Sequence, residues 1–359
     1  MAGCPLTYND EVETMNEQVK YGFCVPIFAN PGMLFFRTPA YEQLEWDSIK
    51  NTVILCEELG YDSLFVADHL FLGSNGDIYE SIATMSALGA ITKKMSVIPI
   101  HLCNNFRNPG VVAKTISTIS HITSGRFELF YDYGWRKSEF DQYGIGFCKN
   151  DDERVAKMAE GLTVIKGLLE HGTFSYDGTF YKLTDAICNP KPIKKIPIWM
   201  GETNNVQMVE EIVKHADVFN SMPCSLEAFD QKCDALRIEC DKQGRDFSSI
   251  ELSLETQVLI RETEEEIEEE LSRFGGLIDK NNSYDKDILE QLALTNPDGV
   301  DYSSKESLRK EFLIGTPEQV SAQIAGFTDR GVNHFMLWFM DYPSTKGIEL
   351  FADTVMKGR

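Results

Sequence analysis

His69 stands directly after an apolar run, in Val66-Ala67-Asp68-His69-Leu70. An imidazole there can donate, accept or carry a proton near neutral pH, which is the chemistry of general acid–base catalysis. On position alone, a purely structural histidine is the competing reading. His101 lies inside another apolar run, Met95 to Leu102, and by position reads as a wall residue. Tyr133-Gly134-Trp135-Arg136 places aromatic rings and a flexible glycine at the end of a third run. Such a set can flank a flat ring, or simply pack a rim. Gly201-Glu202-Thr203-Asn204 joins a strand to a helix N-terminus. Free N–H groups and a hydroxyl there suit an anion such as phosphate, with the Glu202 carboxylate turned away. Plain helix capping competes with that reading. Arg154 opens a helix, where a cation opposes the dipole. An anionic partner, carboxylate or phosphate, therefore competes with an ordinary surface role.

The elements that must hold these residues alternate in type. Apolar runs at Tyr21–Ile27, Asp62–Ala67, Met95–Leu102, Arg126–Tyr131, Ile196–Met200, Ala216–Asn220, Glu251–Ile260 and Asn333–Phe339 read as eight strands. Between them lie helical patterns at Glu42–Leu59, Tyr79–Ile91, Asn108–Ile122, Asp151–Glu170, Asn204–Lys214 and Leu226–Gln243. Thr38 and Pro39 supply a start signal for the first of these and Gly60 a stop. Thr316, Pro317 and Gln319 open another helix with a capping box. Eight alternations predict an α/β fold, most economically a closed (β/α)8 TIM barrel. The rival is an open doubly wound sheet. Strand one leads into Phe28-Ala29-Asn30-Pro31-Gly32, without the Gly-rich turn that sheet usually carries. In a barrel the site lies at the C-terminal strand ends, where the residues above fall. About 55 residues separate strand seven from Thr316, too many for one crossover helix. Within Glu262–Glu290 there are 11 acids and 3 bases, and the run reads as a solvated helical face. The predicted organisation is a tail over 1–20, then one barrel over 21–359 with 262–313 as an insertion or lid.

Composition narrows the function. The 359 residues are 43% hydrophobic and 25% charged, ordinary for a globular protein. With 34 basic and 56 acidic residues the net charge is −22, which argues against nucleic-acid or anionic-membrane partners. Nine scattered cysteines with no C-x-x-C pair argue against a disulfide framework or zinc knuckle. No metal site is predicted. There is no apolar leader and no stretch of ~18 apolar residues, so a cytoplasmic protein is the expectation.

Read in order, five stretches resemble the bacterial luciferase-like flavin-dependent monooxygenase family. They are ELGYDSLFVADHL, SGRFELFYDYGWRKSEFDQYG, IPIWMGETNN, GTPEQVSAQIAGF and GVNHFMLWF. The resemblance implies a barrel with an insertion after strand seven, commonly dimeric, holding a flavin at the strand C-termini. His69 falls where luciferases carry a histidine involved in catalysis. Gly201, Glu202 and Thr203 match a phosphate-binding stretch. Ile100-His101 falls where the family has a non-prolyl cis peptide against the isoalloxazine, and Tyr133-Gly134-Trp135 matches a flavin-contacting turn. Glu139 and Arg154 match positions that help hold the cofactor in related pyrimidine monooxygenases. Asp68 joins the cofactor-binding set. Asp132, Tyr133 and Met222 depart from luciferase, so light emission is not predicted, and no arginine-rich pocket for alkanesulfonates is evident.

The implied function is a two-component monooxygenase using reduced FMN from a separate NAD(P)H:flavin reductase. O2 would add at flavin C4a, and the resulting (hydro)peroxyflavin would oxidise a small organic substrate with His69 managing a proton. Two alternatives stay open. One is an F420-dependent hydride-transferring oxidoreductase of the same superfamily. The other is a non-catalytic flavin-binding subunit, against which the presence of His69 and Thr203 counts.

Overall fold

Strand β1 (Lys20–Val25) is buried at every position but its first, and β2 (Ser63–Ala67) is buried throughout. Parallel strands covered on both faces read as unbroken apolar runs, which is why they were visible in the sequence. The computed structural model describes residues 18–29, 37–73, 76–201, 205–281 and 304–358. The ring continues through β3 (Ser96–Ile100), β4 (Leu102–Cys103) and β5 (Leu129–Asp132). After a surface hairpin, β6 (Phe174–Asp177) and β7 (Lys182–Ala186), come β8 (Ile198–Gly201), β9 (Val218–Ser221) and β10 (Glu251–Ile260). The last two strands are β11 (Leu313–Gly315) and β12 (Val332–Phe339).

All neighbours around the ring pair in parallel, in the order β3, β2, β1, β12, β10, β9, β8, β5, β4. Strands β3 and β4 are two halves of one run, separated at the cis Ile100–His101 peptide. The first half pairs with β2 and the second with β5. A parallel bridge from Val97 to Phe127 adds to the closure. Counting that divided run once gives the (β/α)8 barrel expected from the sequence.

The helices between strands are α1 (Trp46–Leu59), α2 (Ser81–Ile91), α3 (Pro109–Ile122), a short α4 (Lys137–Tyr143), α5 (Asp151–Glu170), α6 (Val206–His215) and α7 (Leu226–Gln243). Asn108 caps α3 through the Gly110 N–H with Pro109 at the first turn, as its sequence signal required. The start of α1 differs from expectation. Tyr41 is buried, edge-on to Tyr342 at 4.7 Å, and its hydroxyl accepts the Glu45 N–H at 2.8 Å. That tertiary contact holds residues 39–40 in a turn and delays the helix to Trp46. The hairpin of β6 and β7 is not among the eight strands expected from the sequence. Its burial alternates along the surface, too short and half-exposed a signal to outweigh the surrounding Gly and Pro.

The insertion supplies α8 (Glu264–Asn281) and α9 (Lys305–Glu311), then β11, which pairs with the outer end of β10. The barrel resumes with α10 (Pro317–Thr328) and ends with α11 (Lys346–Thr354). Leu259, Ile267, Leu271, Phe274, Leu308 and Phe312 belong to a core cluster separate from the main one. The acidic run of α8 is more than a solvated face. Lys305 pairs with Glu268 at 2.8 Å, and Arg309 bridges Glu264 and Glu268. Residues 282–303 of the expected insertion lie outside the described residues, as does nearly all of the expected tail. No described helix is long and apolar enough to cross a membrane.

Candidate active site

Strand β2 ends at Ala67 and delivers Asp68 and His69 to the C-terminal mouth of the barrel. The short helix α4, which follows β5, carries Glu139, which is 1% exposed. His69 Nδ1 lies 3.0 and 3.1 Å from the two Glu139 oxygens. An ionised carboxylate only accepts, so Nδ1 carries the proton and Nε2 of the neutral ring keeps its lone pair. Nε2 makes no hydrogen bond among the described residues. Glu139 also accepts the Leu70 N–H at 2.7 Å and the Phe71 N–H. Burial pushes its pKa up, but His69, the Leu70 amide and the Arg136 charge together hold it below the ordinary value.

That lowered pKa has a measurable consequence. A depressed carboxyl stabilises the fold above its unfolded pKa, near the ordinary 4.5, and the contribution disappears as pH falls through the lower folded value. The stability gap between wild type and Glu139→Gln should be constant in the neutral range and shrink on acidification below that point. Urea unfolding across the acid range checks this; a gap independent of pH contradicts it.

Asp68 is buried and fully engaged. Its oxygens accept from Arg107 at 2.7 and 2.8 Å, and Oδ2 also accepts the Cys103 N–H at 2.9 Å. It thereby ties the end of β2 to β4. Arg107 extends the network to Glu80 at 2.8 Å.

His101 projects from the break between β3 and β4. Its ring lies against Phe130 at 4.1 Å, and Nδ1 sits 3.6 Å from Asp132. Nε2 is buried without a partner. Burial depresses the His101 pKa, with Asp132 and Glu255 opposing. So the ring reaches the mouth rather than serving only as wall. Gly134 has φ +74°, and a Cβ there would come within 2.4 Å of Cys103 Sγ. Backbone conformation and close approach both require glycine at this turn.

Arg154, at the start of α5, is 7% exposed. Nη2 donates to Asp151 at 2.6 Å, the guanidinium lies 5.4 Å from the Tyr133 ring, and Nε is buried without a partner. An ordinary surface arginine is therefore ruled out. Asn205 caps α6 through the Met208 N–H and donates to Asp152 at 2.9 Å, so the first turns of α5 and α6 meet here. Gly201 ends β8 beside them. Glu202 and Thr203 lie outside the described residues.

One cavity draws together Asp68, His69, His101, Asp132, Gly134 and Glu139. Ile100, Tyr133, Gly201 and Arg154 surround it through their bonded or packed neighbours. One charged residue was missed. Glu255, 1% exposed within β10, accepts from Arg37 at 2.6 Å and from Trp338 Nε1 at 2.8 Å. Its second oxygen has no partner, and its charge reaches His101. A mid-strand carboxylate in Glu251–Ile260 was the available signal. Among the described residues no group of His, Cys, Asp and Glu is placed to hold a metal.

The family model for luciferase-like monooxygenases matches residues 33–334. The chain is 24% identical to an FMNH2-dependent dimethylsulfone monooxygenase of Pseudomonas fluorescens, covering 95% of both chains. It is 23% identical to an F420-dependent glucose-6-phosphate dehydrogenase of Microbacterium testaceum, covering 88% of this chain and 94% of that one. The solved structure of a long-chain alkane monooxygenase superposes with a TM-score of 0.77 at 17% identity, covering 96% of this chain and 91% of that one. The fold, the five ordered stretches and the match over most of the chain agree: this protein is an oxidoreductase of the luciferase-like monooxygenase family.

Proposed function

We propose that this chain is the oxygenating component of a two-component monooxygenase, taking reduced FMN from a separate NAD(P)H:flavin reductase. The observation that carries the reading is the His69–Glu139 pair at the barrel mouth, with Nε2 left available. The surroundings fit a flavin. Gly134 leaves a close backbone approach, His101 Nε2 is a buried polar atom lacking a partner, and Trp135 adds an aromatic edge. Arg154 and the start of α6 offer a cation and free N–H groups for a phosphate. Reduced flavin, when bound, supplies the electrons that activate O2 for insertion of one oxygen atom.

The chain's own residues do the rest. His69 Nε2 takes or returns a proton at the reacting oxygen or substrate. Glu139 fixes the ring's tautomer and stabilises the cation that forms when Nε2 is protonated. The Asp68–Arg107 pair keeps the end of β2 in place beside β4. Arg37 offsets the Glu255 charge, and the second Glu255 oxygen is open to a hydrogen-bond donor. A hydrogen-bond-donating organic molecule suits it.

A second reading, hydride transfer with F420, is favoured by the F420-dependent relative that spans nearly the same length. Anaerobic equilibrium binding separates the two. Reduced FMN should bind at least about tenfold tighter than reduced F420, a difference of ~1.4 kcal/mol. The reverse order would replace the first reading with the second.

A further inference from the structure

The barrel has a second hollow, at the end opposite the flavin-family site. Its floor is Leu129 and Ile198, paired at the first residues of β5 and β8, with Ile196 just before β8. Its wall is Ile165 and Leu169 of α5. The volume is about 320 Å³, at the small end of the range of small-molecule sites.

Four lysines line this hollow in a chain whose net charge is −22. Two are committed elsewhere. Lys191 donates to the Leu168 and His171 carbonyls at the end of α5, and Lys195 pairs with Asp217 at 2.7 Å. His215 Nε2 lies 3.3 Å from a Glu211 oxygen, and neither of its ring nitrogens makes a hydrogen bond among the described residues. Lys166 and Lys194 make no hydrogen bond or ion pair among the described residues. The rim also carries Glu170, which is exposed to solvent. Two uncommitted cations over an apolar floor form an amphipathic receptor.

We propose that this hollow binds an amphipathic monoanion. A carboxylate, sulfate or sulfonate head would lie by Lys166 and Lys194, with a medium-length alkyl tail on Ile165, Leu169, Leu129 and Ile198. Both halves are needed. Solvent-screened lysines hold a bare anion weakly, and the apolar floor gives an inorganic ion nothing to replace its water. The site is independent of the flavin reading, because it shares no residue with the barrel mouth.

Calorimetric titration of the full chain with octanoate and octyl sulfate tests it, with inorganic phosphate and octanol as the head-only and tail-only arms. Octanoate and octyl sulfate should each bind saturably, one per chain, and weaken with added salt. In Lys166→Glu/Lys194→Glu the affinity should fall about 10–100-fold through like-charge repulsion. Leu169→Asp should weaken octanoate as well, by placing a carboxylate against the tail. Both variants should keep the wild-type far-ultraviolet circular dichroism and a cooperative urea transition, which report an intact barrel. Absence of saturable octanoate binding overturns the proposal. So does equal binding of octanol, or wild-type affinity for octanoate in the charge-reversed variant.

Discussion

His69→Ala is expected to lower kcat by about 10²–10⁴-fold, the usual contribution of a positioned acid–base group. Affinity for reduced FMN should change little, because the ring's hydrogen bonding is taken up by Glu139 and Nε2 is left for the proton. The same geometry makes Glu139→Gln informative. An amide at 139 can present a donor to Nδ1, which releases the tautomer that the carboxylate enforces. Its kcat should fall too, by less, with the pH profile shifted. Single-turnover measurements with saturating reduced flavin separate proton transfer from binding. An unchanged kcat in His69→Ala would remove the residue from the chemistry.

The second large effect is on stability. Arg107→Ala should cost about 3–5 kcal/mol, because it strands the Asp68 carboxylate, 1% exposed, with only the Cys103 N–H for compensation. The double variant Asp68→Asn/Arg107→Met should recover most of that loss, since removing both charges of a buried pair is often nearly neutral. Urea unfolding of the three chains reads both numbers. A loss below about 1 kcal/mol in Arg107→Ala would mean that the pair behaves as an exposed one.

The barrel was legible because its strands are covered on both sides. Ser63–Ala67 is buried throughout and Glu251–Ile260 at every position but its first, and α5 and α7 carry continuous apolar faces between clear caps. What escaped depends on contacts between distant residues. Nothing near residues 38–45 in the sequence reveals that Tyr41 packs on Tyr342 and postpones α1. The strand β11 is three residues long and exists because β10 offers it an edge.

The site divides the same way. The strand-end rule brought His69, His101 and Gly134 to one cavity. It could not tell what each carboxylate does. Glu139, expected beside the cofactor, lines that cavity and also holds His69, 70 positions away in the chain. Asp68, expected in the same set, closes on Arg107. Glu255 sits mid-strand, and only the inward turn of β10 shows that its charge reaches the mouth.

The central claim is that reduced flavin sits at the C-terminal rim, in front of the His69–Glu139 pair. Anaerobic hydrogen–deuterium exchange with and without reduced FMN tests it most directly. Slowed exchange should appear at residues 68–71, 101–103, 133–136 and 201–206, and leave the opposite end of the barrel unchanged. Protection confined to that opposite end, or absent from the rim at saturating reduced FMN, would contradict the account.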